Sequence, residues 1–315
     1  MKNLTLLKGR DLLTLLDYSR QEVVFMLETA KWLKEMYYSG KKYYPILKGR
    51  CVMLIFEKPS TRTRVSLEVA ASQLGMHVIY ANPQELQLGR GETLEDTART
   101  LSRYVDVIIA RVYSHETLEK LAQYSSIPVI NALSDKFHPL QALADAFTLW
   151  EITGELSNVV LAYVGDGDNN VAHSLLVIGS ILGWEVRIVS PKPYQPCSEI
   201  LEKVLDKARQ SGAKIIITED LNEGVKNVDA IYTDVWVSMG MESEAEVRRK
   251  VLEKYRITSK VMELAGKNAI FMHCLPAHRG EEVTDEVIDS ERSIVWQQAE
   301  NRLHTAKAVL TLLTP

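Results

Sequence analysis

The sequence predicts an α/β protein of two domains, each with a central, mostly parallel sheet flanked by helices, and a C-terminal helix returning to the first domain. Three observations predict it. The length of 315 residues fits about two domains of ordinary size. Short β-branched runs alternate with amphipathic stretches along most of the chain, as parallel sheets with right-handed crossovers require. The alternation falls into two sets, with Gly154 and Glu155 between them. The expected divisions are 1–152, 153–297 and a closing segment 298–315.

The first helix starts after Ser19, a natural N-cap, and Val23, Leu27, Ala30, Leu33 and Met36 give it one apolar face before Gly40 stops it. Strands of the first set are expected at 51–57, 77–81, 106–111 and 127–133. Helical patterns at 61–74, 93–104, 114–124 and about 139–153 separate and follow them, and Thr93 with Asp96 resembles a capping box. The second set is expected at 159–165, 185–190, 214–218, 229–235, 269–274 and 293–296, before a last helix over 298–313. In open α/β sheets ligands bind beyond the carboxyl ends of strands, so the polar clusters there carry the chemical question.

Composition narrows the class. Hydrophobic residues are 46% and charged residues 25%, values of a soluble globular protein with a sizeable core. Lys plus Arg number 37 against 41 Asp plus Glu, for a net charge of −4, which argues against a general nucleic-acid or membrane-surface binder. Cys51, Cys197 and Cys274 share no metal-ligand spacing and cannot all pair, so a reducing, cytoplasmic compartment is expected. Apolar runs stop short of the ~18 residues of a membrane span, and the opening MKNLTLLKGRDLL, broken by charges, reads as the start of the mature fold.

Ser60, Thr61, Arg62, Thr63 and Arg64 stand where a strand gives way to a helix. Unpaired N–H groups and the positive end of the dipole favour an anion there, and hydroxyls and guanidinium groups add donors. A plain Ser/Thr cap explains one hydroxyl but not the whole set; arginine in a first turn is disfavoured by the dipole unless an anion is present. Phosphate or carboxylate binding is the better reading. The turn VGDGDNN at 164–170 invites a dinucleotide reading, but Asn170 stands where a third small residue is needed, which disfavours a nicotinamide site. Asn169 and Asn170 are either turn residues or donors to a small polar ligand.

His138 and Gln141, three apart at the start of a helix, share a face, and Arg111 ends a neighbouring strand. The three can converge on one carbonyl oxygen, or His138 can be structural. Asp234 either binds an ammonium group or caps a following helix. Cys274 in HCLP is by itself more often a small core residue than a nucleophile. Arg302 alone reads more readily as a surface arginine of the last helix than as a functional one, and taken singly the cap is also the readier reading of Asp234.

Together STRTR, LQLGRGE (86–92), HPLQAL (138–143), GDGDNNVAHS (165–174), DVWVSMG (234–240), HCLPA (273–277) and AENRLHT (299–305) resemble the ornithine branch of the aspartate/ornithine transcarbamoylase family, in order along the whole chain. STRTR and HPxQ are shared across that family; DVWVSMG and HCLP narrow the match. The resemblance implies transfer of a carbamoyl group from carbamoyl phosphate to L-ornithine, giving L-citrulline and phosphate, with no cofactor and no metal. It implies a carbamoyl phosphate-binding first domain, an ornithine-binding second domain, and a homotrimer or an assembly of trimers.

Ser60, Thr61, Arg62 and Thr63 then match phosphate-binding positions, and Gln87 one that reaches into a neighbouring subunit's site. Arg111, His138, Gln141 and Arg302 match those around the carbamoyl group. Asn170, Asp234, Ser238 and Met239 match ornithine contacts, with Cys274 and Leu275 beside the reacting amine. One local departure is GDGDNN, where many relatives have one residue fewer before the paired asparagines. Other amine acceptors (putrescine, an acylated ornithine, aspartate) and a non-catalytic carbamoyl phosphate-binding relative are the alternatives; Asp234 speaks against aspartate.

Overall fold

Each strand-to-helix repeat in the sequence becomes a crossover between parallel strands, and these build two separate parallel sheets. The structure, a computed structural model, describes residues 7–238 and 240–315. It divides into two compact units, one of residues up to Phe147 with Asn301–Pro315, the other Thr148–Glu300.

The first unit opens with helix α1 (Arg20–Tyr38), held at its start by a reciprocal capping box between Ser19 and Glu22. Val23, Met26, Leu27, Ala30 and Leu33 form its buried face. There follow β1 (Cys51–Phe56), α2 (Thr61–Gln73), β2 (His77–Ala81), α3 (Leu94–Leu101), β3 (Val107–Arg111), α4 (His115–Tyr124), β4 (Val129–Leu133) and α5 (Pro139–Thr153). Thr93 caps α3 by accepting the Asp96 N–H, the first half of the expected box. The strand order is β2-β1-β3-β4, all parallel, with Phe56 level with Arg111. The winding therefore reverses between β1 and β3, the position at which open parallel sheets bind ligands.

The second unit contains β5 (Val160–Val164), α6 (Asn170–Leu182), β6 (Glu185–Val189), α7 (Ser198–Ser211), β7 (Lys214–Thr218), α8 (Leu221–Val225), β8 (Ala230–Thr233), α9 (Ala245–Leu252), α10 (Ser259–Ala265), β9 (Ile270–His273) and α11 (Asp285–Ile288). Its sheet runs β7-β6-β5-β8-β9, again all parallel, and its winding reverses between β5 and β8. Gly167 is required for close packing: a Cβ there would lie 2.7 Å from Ile188 Cγ2 and 3.0 Å from the Tyr194 carbonyl oxygen. That is a structural use of the glycine, not a cradle for pyrophosphate.

The strands read from the sequence are present, 77–81 and 214–218 with the expected bounds and the others with trimmed ends, except 293–296. There Ser293 makes only an isolated bridge to Phe271, and the last helix, α12, begins at Val295 and runs to Leu313. Within the first unit α12 packs against earlier helices: Lys34 Nζ donates to Asn301 Oδ1 (2.8 Å), Lys307 Nζ to Gln73 Oε1 (2.9 Å), and His304 meets Tyr37 edge-on. Among the described residues, no helix is long and apolar enough to cross a membrane.

Candidate active site

In the first unit Ser60 is extended and caps α2, its Oγ accepting the Thr63 N–H at 3.3 Å. The first turn of α2 is Thr61, Arg62, Thr63 and Arg64, so no carboxylate there opposes the positive end of the dipole. Thr61 is exposed, Arg62 half-buried and Thr63 buried. Arg64 departs from the expected cluster. Its Nε bonds Glu68 at 2.8 Å and its guanidinium lies 3.4 Å from the centre of the Tyr80 ring. Residues two apart on a helix do not face one another, so Arg62 and Arg64 point to different surroundings.

Beneath the helix mouth lies a buried polar chain. Arg302 Nη2 donates to Thr63 Oγ1 at 3.0 Å, and Nη1 donates to Gln141 Oε1. Gln141 Nε2 in turn donates to Asp145 Oδ1 at 2.8 Å. With its carbonyl on arginine and one amide hydrogen on a carboxylate, the Gln141 amide has a fixed orientation. His138 and Arg111 are buried alongside. Burial, then the charges of Arg302 and Arg111, hold the His138 ring well below its ordinary pKa, so it is a neutral imidazole. Gln87 is not brought into this group; it is exposed, at the start of a short 3-10 turn over Gln87–Arg90.

In the second unit the chemistry gathers at the ends of β5, β8 and β9. Asp234 is buried; its Oδ1 accepts Val235 N–H at 2.8 Å and Cys274 Sγ–H at 3.1 Å. Burial above all keeps its carboxyl pKa raised. His273 accepts the Leu275 N–H on Nδ1 at 2.8 Å, so its proton sits on Nε2, 3.1 Å from Glu282 Oε1. The same Glu282 oxygen accepts the His278 N–H at 2.6 Å. These bonds hold Leu275 at φ +59°, a left-handed conformation uncommon for leucine, and so fix the loop that carries Cys274.

Asn169 is a structural cap: its Oδ1 accepts from Val171 and Ala172 N–H, both at 2.9 Å, and its Nδ2 donates to Tyr163 Oη at 2.6 Å. Asn170 follows as the first residue of α6 and is half-buried, as is Ser238. Met239 lies outside the described residues.

Residues 10–151 match the carbamoyl-P binding domain of aspartate/ornithine carbamoyltransferase, and residues 157–313 match its Asp/Orn binding domain. The chain belongs to the aspartate/ornithine carbamoyltransferase family. It is 57% identical over 304 residues to the ornithine carbamoyltransferase of Pyrobaculum calidifontis, covering 96% of this chain and 98% of that one. It is 57% identical over 307 residues to that of Hyperthermus butylicus, with 98% of each covered. Among solved structures, the ornithine carbamoyltransferase from Pyrococcus furiosus superposes with a TM-score of 0.94 at 53% identity, covering 98% of both chains. That from Thermus thermophilus gives 0.86 at 41%, covering 97% of this chain and 99% of the other.

Against the carbamoyltransferase motifs, sequence reasoning missed three contributors. Asp145 is one helical turn beyond Gln141 and was detectable from that spacing. His273 was legible as part of HCLP but not as the group that fixes the loop. Glu282 carries no local signal, since only the fold brings it to His273. Metal-ligand atoms of Asp234, His273 and Cys274 lie within 4.8 Å of one another, as do those of His278, Glu281 and Glu282. In the first group both His273 nitrogens and the thiol already make internal bonds, so a metal would have to displace them.

Proposed function

We propose that this member of the carbamoyltransferase family transfers the carbamoyl group of carbamoyl phosphate to the side-chain amine of L-ornithine, giving L-citrulline and phosphate in arginine metabolism. The observation that carries the choice of acceptor is the buried Asp234 carboxylate with Cys274 bonded to it. A carboxylate there recognises an amine and repels the second carboxylate of aspartate.

In this reading residues 1–152 bind carbamoyl phosphate and 153–297 bind ornithine, with 298–315 supplying Arg302. Ser60, Thr61, Arg62 and Thr63, at the mouth of α2, hold the phosphate. Arg111, His138, Gln141 and Arg302 surround the carbamoyl group. A neutral His138 donates a hydrogen bond to the carbonyl oxygen without adding a third buried positive charge beside Arg111 and Arg302. The ornithine amine, with an ordinary pKa of about 10.4, gives up its proton before it attacks. Its nitrogen bonds the carbamoyl carbon, and the oxyanion that forms is met by Arg111, His138 and Gln141. The carbon–oxygen bond to phosphate then breaks, and phosphate leaves with the electron pair and accepts the proton released by the amine.

Asp234 and Cys274 orient the amine, with Leu275 beside it; Asn170, Ser238 and Met239 hold the amino-acid end. As the family resemblance implies, the active assembly is a homotrimer or a set of trimers, and the exposed Gln87 suits a residue that serves a neighbouring subunit. Cys51, Cys197 and Cys274 are in the thiol state, which supports a cytoplasmic location. A product assay with carbamoyl phosphate and ornithine, putrescine or aspartate in parallel tests the reading. Citrulline from ornithine is expected; turnover of another acceptor with none of ornithine overturns it.

A further inference from the structure

Arg248, on α9, is buried, and its Nη1 donates to Asp166 Oδ2 at 2.7 Å; the side chains of the pair are 8% and 0% exposed. The guanidinium makes three more contacts inside the second unit. Nε bonds Glu244 at 2.9 Å, Nη1 lies 3.5 Å from the Trp236 carbonyl oxygen, and the carbon of the fork sits 4.8 Å over the Tyr194 ring. Asp166, Trp236 and Tyr194 each belong to a segment at the carboxyl end of a strand, and Glu244 stands one turn before Arg248 at the start of α9. Asp166 shapes the turn after β5: its Oδ1 accepts the Asp168 N–H at 3.2 Å, and its carbonyl accepts Asn169 Nδ2 at 2.8 Å. Trp236 stands two residues before Ser238 in the loop after β8. Tyr194, in the segment after β6, closes the first turn by accepting the Gly167 N–H at 2.8 Å.

One planar cation thus ties the turn that launches Asn170 to the loop that carries Ser238. A buried ion pair is a poor means to stability, because apolar residues of similar volume often serve as well or better. What apolar residues cannot supply is a fixed set of directional bonds to several loops at once.

We propose that Arg248, through Asp166 and Trp236, is a positioning residue that sets the spacing of Asn170 and Ser238 and thereby the fit of the acceptor's amino-acid end. The inference rests on the assignment of those two residues to ornithine. It separates Arg248 from the reacting atoms: its loss acts on acceptor binding before it acts on the chemical step.

Three variants test it, each followed by initial citrulline rates with ornithine and carbamoyl phosphate varied in turn. Arg248→Met is expected to raise KM for ornithine at least tenfold, with kcat changed less than threefold and KM for carbamoyl phosphate within twofold. Arg248→Lys, which keeps the charge but not the fork, is expected to fall between that variant and the parent. Arg248→Met with Asp166→Leu removes both charges and keeps an apolar interior, so it reports if the single variant fails to fold; the same rise in ornithine KM is expected. An unchanged ornithine KM in Arg248→Lys and the double variant overturns the proposal, as does an equal deterioration of both KM values and kcat. Absence of citrulline from the parent enzyme would instead sink the ornithine reading on which the inference stands.

Discussion

Replacing Asp234 by Asn separates substrate recognition from folding, because the two effects have opposite signs. The Asp234 carboxyl pKa is raised in the folded chain, chiefly by burial. A raised carboxyl binds its proton more tightly folded than unfolded. Its contribution to stability is therefore present below the unfolded value of 3.8 and lost as pH rises through the folded value. At neutral pH the ionised group costs stability. Asparagine keeps an oxygen to accept from Val235 N–H and Cys274 Sγ–H and carries no charge, so the thermal midpoint should hold or rise.

Activity should go the other way. The variant loses a charge-assisted bond to the acceptor amine, worth about 1.5–3 kcal/mol. At about 1.36 kcal/mol per tenfold, kcat/KM for ornithine should fall roughly 10- to 150-fold. Citrulline initial rates at saturating carbamoyl phosphate, read beside thermal unfolding, measure both. A change in kcat/KM under threefold refutes the assigned role, and so does a loss of activity that accompanies a lower midpoint.

Arg62→Ala should raise KM for carbamoyl phosphate roughly 10- to 150-fold, the range for one charged hydrogen bond, and weaken inhibition by phosphate in step. Ornithine saturation should be unchanged; near-parental affinity for carbamoyl phosphate would remove the helix-mouth argument. Arg302→Lys keeps the charge but cannot bond Gln141 and Thr63 together, so kcat should drop at least about tenfold; parental turnover would show that the fork is not needed. The lowered pKa of His138 makes its contribution to stability full above the unfolded value of about 6.5 and lost as pH falls from there toward the folded value. His138→Gln should therefore flatten the dependence of urea-unfolding free energy on pH between about 5 and 7.5, and an unaltered slope would contradict a buried neutral ring.

The sequence made the elements legible because strand and helix periods differ and the chain changes period cleanly at each junction. It failed at 293–296, where four apolar-rich residues fit a short strand as well as a helix start. Structure decides it: Ser293 makes one bridge, then Gln298 N–H donates to the Ile294 carbonyl at 2.9 Å in the first helical bond. Arg64 was misread for a different reason. Counting donors in STRTR ignored that alternate helical residues diverge, and the structure gives Arg64 to Glu68 and Tyr80. Thr63 and Arg302 are 239 residues apart, and Gln141 and Arg302 are 161 apart, so spacing could not join them; the family motifs named the residues but not the bonds between them.

What spacing could not rank, strand order does. Each sheet reverses its winding once, between β1 and β3 and between β5 and β8, and in open parallel sheets ligands bind at the carboxyl ends of strands at such a reversal. Ser60–Arg62 and Arg111 follow or end the first pair; Asn170 and Asp234 follow the second. Asp220 supplies the control. It too is a carboxylate beyond a strand end, but it follows β7 at the sheet's edge, and its Oδ1 is committed to the Asn222 and Glu223 N–H groups as the cap of α8. The same capping role was open for Asp234. Among the described residues no α-helix begins after it until Ala245, and its oxygen takes a thiol from the neighbouring strand end instead. A buried carboxylate at a switch point, spent on a thiol and one local N–H rather than on a helix, is placed for a ligand. That contrast with Asp220 is the physical reason to assign Asp234 to the acceptor amine.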